Sequence, residues 1–387
     1  MKTLTSAHDK ISSGGRLTAD EILALYEEND LLYLAESARR VKESKTSRKV
    51  FYTVNRHINL TNVCRANCPL CAFSCQSGSN RAFTLELADV EQVVRCQVSG
   101  VSEIHIVSAL HPTKDFAYYV DAVKLVKRIL PHVGINAFTP VEIVNFSQIS
   151  GKSFADVLRE LIDAGVTSLA GGGAEILSDR VREIICPKKC SADEWLEVMR
   201  TAHKLGLRTN ASMMFGHVET IRERVEHLIK LRDLQDETGG FVAMMLFPFH
   251  PENTRLGEQF KLQRVGSWED LKMLALARLA LDNFDHFKAF WVMLTLPVAQ
   301  LALSFGADDL DGTIGEEKII HAAGAKSSAG ITVDKLRKII SETGYVPTER
   351  DSFYNENFSE QRQSLNGETS AKLDATSRCR DSFYREV

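Results

Sequence analysis

The chain has 387 residues, with 47 Lys and Arg against 51 Asp and Glu and a net charge of −4, giving a pI near 6.3. So even a balance argues against nucleic acid or an anionic membrane as partner and leaves small-molecule chemistry as the default. The N-terminal MKTLTSAHDKISSGGRLTADEI lacks the apolar core of a secretory signal, and no later stretch approaches the roughly 18 apolar residues of a membrane span. The chain is therefore expected to be cytoplasmic and off the membrane.

Residues 1–48 read as a helical lead-in, because LTADEILALYEENDLLYLAESARRVKE repeats apolar positions at three- and four-residue steps behind a Thr/Asp start. From Val50 the rhythm changes to short β-branched segments alternating with amphipathic stretches. The predicted strands are 50–60, 103–110, 134–138, 168–173, 208–215, 241–247 and 288–294, with predicted helices at 154–165, 191–206 and 220–239, several opening at Ser or Thr and closing at Gly. No Gly-x-Gly-x-x-Gly follows the first strand. The pattern predicts an α/β fold, a partial or full (β/α) barrel over 49–294 rather than a doubly wound sheet. Residues 295–354 are expected to cap or complete the barrel with further helix, and 355–387, polar and without period, to form a flexible tail. Asp308, Asp309 and Asp311 do not fit the register of a calcium loop and are read as loop and helix-capping residues, with a share in shaping the substrate cavity as the alternative; the Met-rich ASMMF and VAMMLF are read as barrel core.

In such barrels chemistry sits on the loops that follow the strands, and the loop after the first strand is NLTNVCRANCPLCAFSC. It holds Cys64, Cys68, Cys71 and Cys75, half of the chain's eight cysteines. In a reducing compartment such clustering favours metal ligation or redox chemistry. The spacing Cys64-x₃-Cys68-x₂-Cys71 lets three thiolates reach neighbouring corners of one four-iron cluster and leaves an iron open to a substrate, whereas electron carriers use four cysteines. The alternative, a structural zinc or a fully ligated cluster, would recruit Cys75 or the pair Cys186 and Cys190 of ICPKKC.

Longer stretches add a resemblance. NLTNVCRANCPLCAF, AGGGAEILSDRVREIICPKK, FHPENTRL, AQLALSFGADDLDGT and GYVPTERDSFYN together resemble, over about residues 50 to 355, the radical S-adenosylmethionine (SAM) group that contains aminofutalosine synthase, dehypoxanthine futalosine cyclase and the deazaflavin-core synthases; FHPENTRL with GADDLDGTIGEEKIIHAAGA looks most like the first. The resemblance implies a [4Fe–4S] cluster on Cys64, Cys68 and Cys71, with SAM on the open iron as cosubstrate. It further implies addition of the adenosyl radical to 3-[(1-carboxyvinyl)oxy]benzoate on the futalosine route to menaquinone. It also implies a one-electron donor such as flavodoxin or ferredoxin, and leaves room for a homodimer. HIVSALHP, with Ser108 and Ala109, stands where the family usually carries a Gly-Gly pair, and two added Cβ atoms restrict the backbone there.

On this footing Ser108, Asn136 and Glu175 are expected around SAM, Glu175 accepting from ribose hydroxyls at the end of the fourth strand. His250 and Glu142 are the expected catalytic groups. A substrate with two carboxylates calls for cations and strong donors, and the candidates are His111, Arg182, His217, Asn253 and Arg255.

Overall fold

The computed structural model describes residues 2–96, 100–315 and 317–356, so all but the first two residues of the expected tail lie outside the described residues. Among the described residues ten parallel strands form one sheet: Lys49–Thr53 (β1), Asn55–Asn59 (β2), Glu103–Val107 (β3), Gly134–Ala137 (β4), Ser168–Leu169 (β5), Arg208–Phe215 (β6), Phe241–Pro248 (β7), His286–Lys288 (β8), Asp309–Gly312 (β9) and Val346–Glu349 (β10). Their order is β10-β1-β9-β8-β7-β6-β5-β4-β3-β2. From β2 to β9 each strand is thus laid beside its predecessor, as successive βα units do.

The two ends of this row meet in the chain itself. β1 pairs with β9, and β2, which follows after Val54 alone, pairs with β3. The joint is held from both sides. Thr313 N donates to Thr53 O at 3.2 Å and Ile314 N to Asn55 Oδ1 at 2.7 Å, while Ser102 N donates to Val54 O at 2.8 Å. A Cβ at Gly312 would sit 2.5 Å from both Asn55 Oδ1 and Thr53 O, so this close approach requires glycine. The sheet therefore curls round on itself, in keeping with the expected βα barrel class.

Helices cover the outside. Pro140–Ser150, Ala192–Lys204 and Ile221–Thr238 each start on a capping box, Thr139 with Glu142, Ser191 with Glu194 and Thr220 with Glu223, which satisfies the first free N–H groups. Phe154–Ala164 buries Val157, Leu158, Leu161 and Ala164, one stripe at helical spacing, and each larger side chain so buried contributes about 1.5–3 kcal/mol. No helix of the described residues is long and apolar enough to cross a membrane.

The predicted strand over 50–60 is two strands broken at Val54, and that over 168–173 stops at Leu169; two further expectations need correction. The predicted strand over 288–294 ends at Lys288, and Trp291–Leu294 is a helical turn; all four of its residues are buried, and an apolar run buried on every side does not distinguish strand from helix. The three aspartates are not loop caps: Asp309 and Asp311 lie in β9 and Asp308 immediately precedes it. All three are buried beside a basic partner, His286 Nδ1 at 2.6 Å from Asp308, Arg350 Nε at 2.6 Å from Asp309 and Lys288 Nζ at 3.2 Å from Asp311. Such pairs come from neighbouring strands and from the segment after β10, so no local pattern announces them.

Candidate active site

β2 ends at Asn59, and the cysteine loop that follows is sewn to its surroundings through backbone. Cys64 N donates to Cys75 O at 3.0 Å, Cys75 N to Asn62 O at 2.9 Å, Arg65 N to Leu110 O at 2.9 Å, and Leu256 N to Pro69 O at 3.0 Å. Asn67 takes the left-handed conformation, φ 47°, which asparagine tolerates better than most residues. The loop stands over a cavity of about 320 Å³ at the ends of the strands, and Cys64, Cys68 and Cys71 all line it. Cys75, Cys186 and Cys190 are not among the lining residues.

Among the described residues no three His, Cys, Asp or Glu side chains converge as one bound ion requires. A cube-shaped cluster instead spaces its ligands at separate corners, which suits three thiols spread along one wall of a cavity. Ser74 N also donates to Cys71 Sγ at 3.4 Å, the kind of bond that supports a cluster thiolate. The donor set thus fits a three-cysteine cluster better than a zinc ion. Burial pushes the Cys68 thiol up to about 12, with the Lys189 ammonium acting in the opposite sense.

The remaining wall comes from the strand exits. Ser108 N donates to Glu142 Oε1 at 2.6 Å, and Thr139 N donates to Oε2 at 2.8 Å. Burial pushes the Glu142 carboxyl up to about 8 against those donors. Both oxygens of this expected catalytic group thus face backbone, and what Glu142 does is fix the β3 and β4 exits relative to each other. Neither Ser108 nor Ala109 has a positive φ, so replacing the usual glycines carries no left-handed strain. Asn136 lines the cavity with Oδ1 buried and without a partner.

Glu175, at φ 46°, also lines the cavity and receives Lys189 Nζ at 2.5 Å. Burial would raise the Glu175 carboxyl, but Lys189 holds it below its ordinary range. Next to it Gly171 has no room for a side chain, since a Cβ would lie 2.5 Å from Asn210 O.

The other predicted residues are placed differently. Arg182 is buried, and its guanidinium donates to Ala174 O at 2.6 Å, to Gly173 O at 3.2 Å and to Cys190 O at 3.1 Å; it holds the glycine loop instead of a substrate. His217 is enclosed, with Nδ1 2.8 Å from Glu219 and Nε2 3.2 Å from Met214 O. His250 donates from Nε2 to Met293 O at 3.0 Å, which ties the loop after β7 to the helical turn Trp291–Leu294. His111 Nδ1 accepts from Thr113 N and Lys114 N at 3.2 Å each. Asn253 donates to Ala322 O at 3.1 Å, and Arg255 donates to Asn67. None of these six lines the cavity, and among the described residues no arginine does.

What the sequence reading missed is the barrel interior: His57, Asn59, His105, Lys189 and Asn210 line the cavity, together with Asp311, for which a share in shaping it is the alternative given above. Its apolar wall includes Met214, Met245, Phe247 and Phe290, the two phenylalanines meeting edge to face at 5.8 Å. Half of each Met-Met pair is thus cavity wall rather than core. The available signal was period two: Asn55, His57 and Asn59 alternate with apolar or outward residues along one strand.

The chain matches the radical SAM superfamily over residues 58–231 and the CofH/MqnC C-terminal region over residues 238–363. It is 41% identical over 350 residues to the aminodeoxyfutalosine synthase of Thermus thermophilus, covering 90% of this chain and 94% of that one. It is 36% identical over 359 residues to the 5-amino-6-(D-ribitylamino)uracil–L-tyrosine 4-hydroxyphenyl transferase of Methanospirillum hungatei, covering 92% and 97%. Among solved structures methylornithine synthase (PylB) superposes with a TM-score of 0.68 at 18% identity, over 88% of this chain and 97% of that one, a likeness of fold alone.

Proposed function

We propose, from the premise that this chain belongs to the radical SAM superfamily and carries the C-terminal region of its CofH/MqnC members, that it joins the 5′-deoxyadenosyl group of SAM to 3-[(1-carboxyvinyl)oxy]benzoate. The products are 6-amino-6-deoxyfutalosine, methionine and bicarbonate. Membership makes it an enzyme that uses a [4Fe–4S] cluster and SAM, of the type found in the futalosine pathway. When bound, the cluster supplies one electron to the sulfonium of SAM and so frees the adenosyl carbon that reacts.

The protein's own share is placement. Cys64, Cys68 and Cys71 are the proposed ligands, and Ser108, Asn136 and Glu175 the proposed contacts of SAM. Glu142 fixes the Ser108 backbone, and Lys189 orients Glu175. Phe247, Phe290, Met214 and Met245 offer an arene a dry wall, which keeps water from a reactive carbon. Flavodoxin or ferredoxin is the proposed electron donor.

One observation carries the reading, the 41% identity to the synthase across nearly the whole of both chains. That no arginine lines the cavity among the described residues favours a second reading with a less anionic second substrate, as the name of the transferase relative describes. Anaerobic turnover with SAM and the enolpyruvyl benzoate, followed by mass spectrometry of the nucleoside, separates them. An adenosyl adduct supports the first reading. Free 5′-deoxyadenosine without an adduct, or turnover that depends on tyrosine and a ribitylaminouracil, overturns it.

A further inference from the structure

The strand register sets His57 opposite His105, and His105 opposite Asn136, so three polar residues share one layer across the barrel. The layer lies two residues, about 7 Å, below Asn59 and Val107, where β2 and β3 end and the cysteine loop begins. The two imidazoles stack with centroids 4.8 Å apart and planes within 6° of parallel. His105 is anchored from behind by a short bond from Nε2 to the buried Glu103. Burial alone would raise the Glu103 carboxyl, but the imidazole beside it holds it well below the carboxylate range.

His57 has no such anchor. Its ring lines the cavity, and its Nε2 is buried without a hydrogen-bond partner in the protein. A buried polar atom left unpaired costs roughly 1–3 kcal/mol, and such atoms commonly mark where a ligand or water binds. Burial, with His105 next to it, pushes the His57 imidazole down to about 4, so near neutral pH it is uncharged and carries one N–H. The carboxylates nearby are already matched. Asp311 has Lys288 at 3.2 Å, and Glu317 has His321 at 3.0 Å and Ile319 N at 2.8 Å.

We propose that His57, held flat against the anchored His105, donates from Nε2 to the arene carboxylate of the second substrate, so that this end of the molecule stands on the barrel floor. The inference rests on the function proposed above. An enol ether that must meet the adenosyl carbon belongs at the mouth beside the cysteine loop. Its own carboxylate stays with it there, and the ring carboxylate, at the far end, is the group that reaches the deeper layer. His105 then acts as a positioning residue.

The test uses the anaerobically reconstituted protein with SAM, and 3-methoxybenzoate and its methyl ester as equilibrium probes. In His57→Phe, affinity for the carboxylate is expected to fall roughly ten- to a hundredfold, while the ester, whose carbonyl is a weaker acceptor than a carboxylate, loses less between wild type and variant. In His57→Gln, whose amide N–H can replace the lost donor, affinity is expected to return to within about threefold. Unchanged cluster iron and an unchanged SAM-induced shift in the electron paramagnetic spectrum certify the fold, and His57→Met replaces the phenylalanine variant should that one not fold. Equal carboxylate affinity in wild type and apolar variant, as a site filled by water alone would give, overturns the inference while leaving the proposed function standing. Failure of the wild type to convert the enolpyruvyl benzoate overturns both.

Discussion

Arg255 Nη2 donates to both the carbonyl oxygen and, at 3.1 Å, the Oδ1 of Asn67, the residue that precedes the proposed ligand Cys68. The guanidinium thus reaches from the helix Arg255–Phe260 and grips the one residue of the cysteine loop with a left-handed backbone. Two bonds to one residue fix the conformation of the chain on either side of it.

Arg255→Ala should therefore weaken the hold on the cluster more than it weakens the fold. The bonds are exposed, so the loss of global stability is expected to stay below about 1 kcal/mol, with little change in thermal midpoint. The reconstituted variant should surrender iron to a chelator several times faster than wild type. Equal rates of iron loss would mean that the loop's backbone hydrogen bonds hold it without the guanidinium.

The four cysteines of the loop separate cleanly by position. Cys75 forms a bridge with Val63, using its backbone N–H and carbonyl, and its side chain is not among those lining the cavity. Alanine keeps both backbone groups. Cys75→Ala is expected to bind close to wild-type iron and sulfide and to cleave SAM, whereas alanine at Cys64, Cys68 or Cys71 should abolish both. Iron and sulfide analysis after anaerobic reconstitution reads this directly, and a Cys75 variant that cannot hold the cluster would falsify the ligand assignment.

These two cases show what was legible in the chain. The cysteine spacing is local, and so are the capping boxes and the βα rhythm, which is why the loop, the helix starts and the barrel class could be read without coordinates. Arg182 and Arg255 look like substrate cations in the sequence because it shows that a guanidinium exists but not what it faces; both face backbone carbonyls. His57 and His105 went unnoticed for the opposite reason. His57 stands among the polar residues of NRHIN and His105 between two isoleucines, so neither points to the other, and only the register of β2 on β3 stacks them. Lys189 and Glu175 lie fourteen positions apart, and the turn that brings them together is set by Arg182, itself tied to Ala174 and Cys190.

That tie can be tested on its own. Removing the Arg182 side chain leaves the carbonyls of Gly173, Ala174 and Cys190 without their donor in a buried setting. Arg182→Met, which keeps much of the volume, is expected to cost about 3 kcal/mol and to lower affinity for SAM, because Glu175 and Lys189 sit on the two segments that Arg182 joins. Arg182→Lys, with one ammonium in place of a planar fork, should fall between. Chemical denaturation and equilibrium binding of SAM measure the two effects. A methionine variant of normal stability would show that water replaces the guanidinium at little cost.

The segment after β9 supplies a pH-dependent contact over the same cavity. His321 Nδ1 lies 3.0 Å from Glu317 Oε2, and its Nε2 2.9 Å from Ser327 O, so both ring nitrogens face acceptors and both can donate only in the imidazolium. The Glu317 carboxylate accordingly raises His321 from 6.5 to about 9. A folded-state pKa above the unfolded one means that the stabilisation is full below about pH 6.5 and disappears as pH climbs through about 9. Glu317, Ile319 and Ile320 line the cavity, so loss of this contact should loosen its cover while the barrel stays intact. Amide exchange in residues 317–327, corrected for its intrinsic base catalysis, is expected to speed up between pH 6.5 and 9 in the wild type. The exchange should be fast and nearly independent of pH in His321→Gln, whose amide can offer a donor to only one of the two acceptors. Identical profiles for the two proteins would mean that Glu317, through its bonds from Ile319 N and Ile320 N, holds the segment without the imidazolium.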